Sequence, residues 1–403
     1  MRETPGSHVK AVAGIGVFFS SNGLLYASLL PWYPLLIERL DLSPWEFGLV
    51  VACFAAGAVA SSILPARLIA RFGSVSVTVV GTVGTAFFAA LAGWSTTPWM
   101  LAGCLFLLGA CDATVDAAQN VAGTLVQDRG GRTILSSMHA VWSLGGLLGG
   151  AASTAVAAAG LELRAHLAVV AVVCVGLVLL GARLVGGEAA DPPSPRTVLG
   201  IDDLGESSAD AATADAGQSS ARRSFLRAVV PLAVIAVCGI MVEDIANNWS
   251  GLAAVQLSGI PVSGAGIAFS VAIGAQCLGR FSGDLLSNRF GADRIAGAGG
   301  ILIALGGAAI ISAVHPAQLL VGLAAMGCGS ATLVPGALGA AAHLPGVDRA
   351  AGVTLVNWVM RLGFLGTSPL VGLIAAGGGL RWGLSLIVVI GLVTVVFARH
   401  LKR

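Results

Sequence analysis

Charge is what this chain has least of. Only 10% of its 403 residues are Asp, Glu, Lys or Arg, against about 25% in an ordinary soluble domain. Such a chain cannot cover itself with polar surface, which excludes a water-soluble globule and leaves lipid as the solvent. The formal net charge is +2, too small to call for nucleic acid as a partner. Cysteine is present but never in metal-ligand spacing. Cys53, Cys104, Cys111, Cys174, Cys238, Cys277 and Cys328 all fall in apolar stretches and read as small core residues. No phosphate-binding loop and no nucleophile–base pairing is found, so neither an ATP-driven pump on this chain nor a membrane enzyme is expected. No metal and no cofactor is called for. No cleavable signal peptide is evident, and the first apolar run is long enough to span and be retained.

What the chain does have is apolar length. Hydrophobic residues make up 56% and the mean hydropathy is +0.89. The 56 glycines sit inside the apolar runs, where small residues let helices approach closely. A crossing needs about 20 apolar residues. The sequence supplies twelve such runs: 9–31, 44–66, 75–95, 98–127, 133–159, 164–185, 223–249, 262–287, 294–313, 316–343, 350–376 and 380–399.

An even number of spans puts both termini on one side, and the basic residues say which. Arg2, Lys10, Arg67, Arg71, Arg129, Arg132, Arg183, Arg196, Arg222, Arg223, Arg227, Arg289, Arg294, Arg349, Arg399, Lys402 and Arg403 share the terminal side. Only Arg39, Arg164 and Arg381 fall on the other. That asymmetry predicts cytoplasmic termini, in a bacterial inner membrane. Between the halves, 186–222 is rich in Ala, Ser, Asp and Pro, without apolar period. It reads as a flexible acidic cytoplasmic linker between a six-helix half at 1–185 and another at 223–403. A regulatory tail is the alternative for that segment.

The halves repeat. Arg71-Phe72-Gly73 returns as Arg289-Phe290-Gly291, and Leu144-Gly145-Gly146 as Leu362-Gly363-Phe364, both at an offset of 218. Two equivalent multi-span halves are the sequence signature of a rocking transporter. The expected fold is an all-α integral membrane protein with twelve transmembrane helices in two pseudo-symmetric six-helix halves.

With its 6+6 spans, central linker and basic Arg-Phe-Gly loop after the second span of each half, the whole chain resembles the major facilitator superfamily (MFS). That superfamily carries a Gly-x-x-x-Asp-Arg-type motif in this loop. The second copy, Gly279 to Gly291, keeps Gly283-Asp284 and Arg289-Phe290-Gly291; the first, Pro65 to Gly73, has lost the acid. The resemblance implies a cytoplasmic gate at Arg67, Arg71, Gly73, Arg280, Gly283, Asp284, Arg289 and Gly291. Asp116-Ala117-Ala118-Gln119-Asn120, the segment Ser136 to Gly146, and Glu243 through Ser250 are similar to a group of bacterial permeases distantly related to fucose permease. The chain departs from the drug exporters of the superfamily. Its fourth span has no Arg before Arg129, and Gly145-Gly146-x-x-Gly149-Gly150 lacks the exporters' proline.

Charges and amides at bilayer depth are functional candidates by default. Asp112, Asp116 and Asn120 recur every fourth residue and share one helix face. Glu243 and Asn247 share a face of the seventh span, and Asp244 with Asn248 the next; one pair is expected to line a cavity and the other to meet a helix neighbour or the periplasmic rim. The resemblance favours Glu243. Arg361, one turn after Asn357 and beside Trp358, requires an anion: Asp112, Glu243 or a substrate. Gln276 is deep enough to touch a solute. His139 and Trp142 share a face of the fifth span; an imidazole titrates near neutral pH, although packing is the plainer reading. Asn22 is the main polar group of the first span. Trp142, Trp249 and Trp358 are candidates to stack on a ring, whereas Trp32, Trp45, Trp94 and Trp99 read as interfacial anchors.

The sequence thus predicts a secondary transporter that moves a small organic solute by alternating access. Protons are the expected coupling ion, carried by Asp116 or Glu243 with Arg361 as the switch. A single 6+6 chain needs no partner, so a monomer in the bilayer is expected. Two alternatives stay open: a proton-antiport exporter of a drug-like metabolite, and a sensor that binds solute without moving it.

Overall fold

The computed structural model describes residues 5–131, 134–186, 215–342, 344 and 349–401. The greater part of the expected linker, 187–214, lies outside the described residues. All regular structure among them is helical: α1 (Pro5–Ala27), α2 (Tyr33–Leu40), α3 (Pro44–Ala60), α4 (Leu64–Phe72), α5 (Ser74–Ala92), α6 (Pro98–Gly130), α7 (Leu135–Ala158) and α8 (Leu163–Val185). The second half gives α9 (Asp215–Ser258), α10 (Gly266–Phe290), α11 (Ala292–Ile311), α12 (Pro316–Ser330), α13 (Leu333–Ala341), α14 (Arg349–Gly378), α15 (Leu380–Leu384) and α16 (Leu386–Phe397). Short 3-10 turns complete the set. Eleven spans among the described residues are long and apolar enough to cross a membrane, and twelve when the bent pair α3–α4 counts as one. Helix α9 begins at Asp215, so the last residues of the stretch read as linker are helical.

Three of the spans are divided where the sequence reading has them continuous: the last, between α15 and α16 at Ser385, and two at prolines. Helices α3 and α4 meet at 54°. Pro65 lies in the first turn of α4, where its ring would clash with the carbonyl four residues back, at Ser61, in a continuing helix. The equivalent position 218 residues on is Gly283, and α10 runs through it unbroken. In the tenth span Pro335 does the same to Ala331, dividing α12 from α13. Its counterpart, Ala117, lies within the uninterrupted 33 residues of α6.

Helix starts follow local chemistry. Ser43 and Glu46 form a reciprocal capping box on α3: the Ser43 N–H donates to Glu46 Oε2 at 2.9 Å and the Glu46 N–H to Ser43 Oγ at 3.3 Å. Thr97 caps α6 by accepting from the Met100 N–H at 3.2 Å, with Pro98 in the first turn.

The chain divides into two compact units. One holds the described residues to Leu42, Cys53 to the end of α8, and Val262–Ile267; the other holds Ser43–Ala52, α9 to Pro261, and Ala268 onwards. In the first unit, α1 and α7 pack through facing glycines. A Cβ on Gly23 would strike the Trp142 carbonyl, and one on Gly145 the Ser20 carbonyl. Its core includes Ile15, Phe18, Phe19, Val126 and Val178. In the second unit the first turns of α3 pack onto α9 and α14. Phe47 meets Trp249 edge-on at 5.1 Å between centroids, and a Cβ on Gly372 would lie 2.5 Å from the Pro44 carbonyl.

The three basic residues expected on the outer side all tie down one kind of loop. Arg39 donates to the carbonyls of Gly93 (3.2 Å) and Ser95 (2.7 Å). Arg381 donates to those of Ile311 and Ala313, each 218 residues further on. Arg164 lies 4.6 Å from the Trp94 ring centroid.

Candidate functional site

Each unit carries a polar cluster inside its apolar spans. In the first, α1 brings Asn22 to α6 and α7. Asn22 Nδ2 donates to Asp112 Oδ1 at 2.8 Å, and the Trp142 indole N–H donates to Asn22 Oδ1 at 2.6 Å. The amide thus uses both ends, and the glycine contact at Gly23 and Trp142 brings the two helices near enough for it. Tyr26 lies one turn on, 6.2 Å from the Trp142 ring and 5.4 Å from Phe54. All three rings are partly exposed.

Asp116 stands apart from that cluster. Asn120 Nδ2 donates to its carboxylate at 3.1 Å and to its backbone carbonyl at 2.8 Å, and Gln119 Nε2 approaches at 3.5 Å. Within the stripe Asp112–Asp116–Asn120, Asp112 is thus bonded to Asn22 of another helix, and Asn120 to Asp116 along their own. His139 is exposed and meets Phe19 edge-on at 5.3 Å.

In the second unit Glu243 is the centre. It accepts from Arg280 at 2.9 Å and from Gln276 Nε2 at 3.2 Å. Gln276 also donates to Ser330 Oγ at 3.4 Å. Gln276 and Arg280 are four residues apart on α10, so one helix face presents both donors. Arg280, expected only at a gate, is the counter-ion of the central acid. Its long stem reaches where its backbone depth does not suggest.

Asp244 faces a different neighbour. Ser368 Oγ donates to Asp244 Oδ2 at 2.5 Å and Asn248 Nδ2 to Oδ1 at 2.8 Å. Trp249 donates to the same Ser368 oxygen at 3.1 Å. Its indole is wholly buried, which removes it from the candidates for ring stacking. Trp32 changes role as well: it is buried and donates to Ser153 Oγ at 2.7 Å, so it is not an interfacial anchor. Trp45, Trp94 and Trp99 are exposed.

Asn247 is buried on α9. On α14, Asn357 and Arg361 are half-buried and Trp358 is exposed. Glu243 belongs to Arg280, and Arg361 has no hydrogen bond or ion pair among the described residues.

The two basic loops are near copies. Arg71 lies 5.3 Å over the Phe72 ring and Arg289 5.3 Å over Phe290. Gly73 and Gly291 have φ of 79° and 93°, a conformation open to glycine and strained for other residues. Each glycine N–H closes the preceding helix at 2.9 Å, on Ile69 and Ser287. Arg67 is exposed. Gly283 faces the Thr332 methyl, which a Cβ would meet at 2.5 Å. The side chain of Asp284 lies outside the described residues.

Ser368 and Ser330 escaped sequence reading, because a lone serine in an apolar helix carries no pattern. Tyr26 had a weak signal, as one of only two tyrosines and one turn from Asn22.

The sequence profile of the Major Facilitator Superfamily matches residues 14–283 and 232–403. An uncharacterised MFS-type transporter of Yersinia pestis is 23% identical over 400 residues, spanning 99% of this chain and 97% of the relative. Among solved structures, a mutant of the nucleoside transporter NupG superposes with a TM-score of 0.75 at 15% identity, covering 97% of this chain and 98% of NupG. FucP in its outward conformation gives 0.62 at 17%, covering 98% and 100%. At such identities the structures speak for the fold alone. The profile spans both halves, and the chain belongs to the major facilitator superfamily of membrane transporters.

Proposed function

We propose that the protein is a proton-coupled secondary transporter of a small organic solute, working by alternating access between its two six-helix halves. The reading places it in a bacterial inner membrane with both termini cytoplasmic, acting as a monomer. It rests chiefly on one observation, the Glu243–Arg280–Gln276 cluster, an acid with a single breakable counter-ion inside apolar spans. Such a carboxylate holds Arg280 while ionised and releases it on protonation, so proton binding and side-chain arrangement are one event. The Asn22–Asp112–Trp142 cluster with Tyr26 supplies amide, carboxylate and ring surface, the mixed lining that small solutes require. Asp116 is the second candidate proton carrier.

Purified protein in liposomes with an internal pH-sensitive dye tests this. A solute whose entry brings protons in supports symport. Glu243→Gln is expected to bind solute yet lose the proton signal. If Glu243→Gln and Asp116→Asn both transport with unchanged pH dependence, proton coupling through these acids is wrong.

A further inference from the structure

Arg280 and Arg361 both lie inside apolar spans, and of the two only Arg280 has a counter-ion among the described residues. Arg361 sits four residues, ~6 Å along the axis, from the middle of the span Gly352–Gly378. Guanidinium stays protonated in any protein environment, so this charge cannot be relieved by losing its proton. Nor does it point the way of the lipid. The exposed apolar stripe of α14 is Leu362, Gly366, Leu370 and Leu373. Arg361 falls instead with Asn357 and Ser368, at helical spacings of four and seven. Ser368 is the residue that bonds Asp244 of α9. Arg361 is half-buried, and Asn357 one turn away offers an amide beside it. An uncompensated cation at this depth is costly and marks a ligand pathway.

We propose that the transported solute carries an oxyanion group, a carboxylate or a phosphate ester, and that Arg361 receives it. The planar guanidinium fork fits either group bidentately. Asn357 is placed to take a neighbouring polar atom. The proposal rests on the transporter reading above and narrows its substrate class.

The test uses the full-length purified protein in detergent and reads thermal unfolding. Probes are matched pairs: carboxylic acids with their amides, and phosphate esters with their parent alcohols. At least one charged member is expected to raise the unfolding temperature of the wild type while its neutral partner does not. Acid-amide and ester-alcohol arms tell carboxylate from phosphate. Arg361→Gln should weaken that ligand about tenfold to a hundredfold, and Arg361→Lys should restore part of the loss. Without ligand, Arg361→Met should unfold no earlier than the wild type, because nothing in the protein depends on the charge. A panel in which no anion outperforms its neutral partner overturns the proposal, as does a lowered unfolding temperature for ligand-free Arg361→Met. The two readings fail separately. A neutral solute accumulated equally by wild type and Arg361→Gln liposomes sinks the oxyanion site and keeps the transporter. An acid that binds through Arg361 but never crosses does the reverse.

Discussion

Glu243 and Asp244 are neighbours on α9, and their partners make them unlike. Glu243 has a cation, Arg280, and an amide; Asp244 has a hydroxyl and an amide and is buried. Removing Arg280 alone strands a carboxylate inside the membrane, whereas removing both charges leaves a neutral pair. Arg280→Gln is therefore expected to unfold at a lower temperature than the double variant Glu243→Gln/Arg280→Gln, measured in detergent. Equal temperatures would mean that the pair carries little energy. Ser368 serves Asp244 and Trp249 at once. Ser368→Ala should cost about 1–3 kcal/mol, the range for leaving a buried polar group without its partner, and should change the tryptophan fluorescence. A loss under ~0.5 kcal/mol would show that Asp244 does not need this donor.

At the scale of the helix, glycine decides which side chains can meet. Asn22 reaches Trp142 because α1 and α7 touch backbone to backbone at Gly23 and Gly145. Gly145→Leu would force the helices apart, at about 1–3 kcal/mol for overpacking, and separate the Asn22 amide from the indole. Transport is expected to fail while the protein still inserts. Gly103→Ala on α6, where an added Cβ meets nothing within 4 Å, is the silent control. If both variants transport like wild type, close approach of α1 and α7 is not what builds the cluster. The loops give a paired experiment. Gly73 and Gly291 share an unusual backbone conformation, and alanine at either should cost about 1–3 kcal/mol. A large loss at one and none at the other would contradict their equivalence.

On the scale of the whole molecule, the spans and the repeat were legible in the sequence, because lipid imposes long apolar runs that survive without knowledge of packing. The Arg-Phe-Gly copies carry over directly into matching rings, caps and backbone angles. What hydropathy could not report was the break at Pro65, which sits in an apolar run and acts through sterics alone. The run was legible but side-chain reach was not: Arg280 was assigned to the cytoplasmic gate, yet its side chain extends to Glu243. Trp32 was read as an interfacial anchor and Trp249 as a candidate to stack on a ring, because a tryptophan in an apolar run looks the same in sequence whether it faces lipid, a solute or a serine on another helix. Ser153 and Ser368, which claim them, have no sequence signature of their own.

The central proposal is coupled movement of a solute and a proton through one chain, with Glu243 as the proton carrier. Wild-type and Glu243→Gln proteins in liposomes, with a pH-sensitive dye inside, put that to trial when challenged with solutes found to bind. The wild type should acidify the interior as solute enters, and Glu243→Gln should bind the same solute without any dye response. A dye response of equal size in both would contradict the assignment, and solute accumulation with no proton movement in either would contradict proton coupling itself.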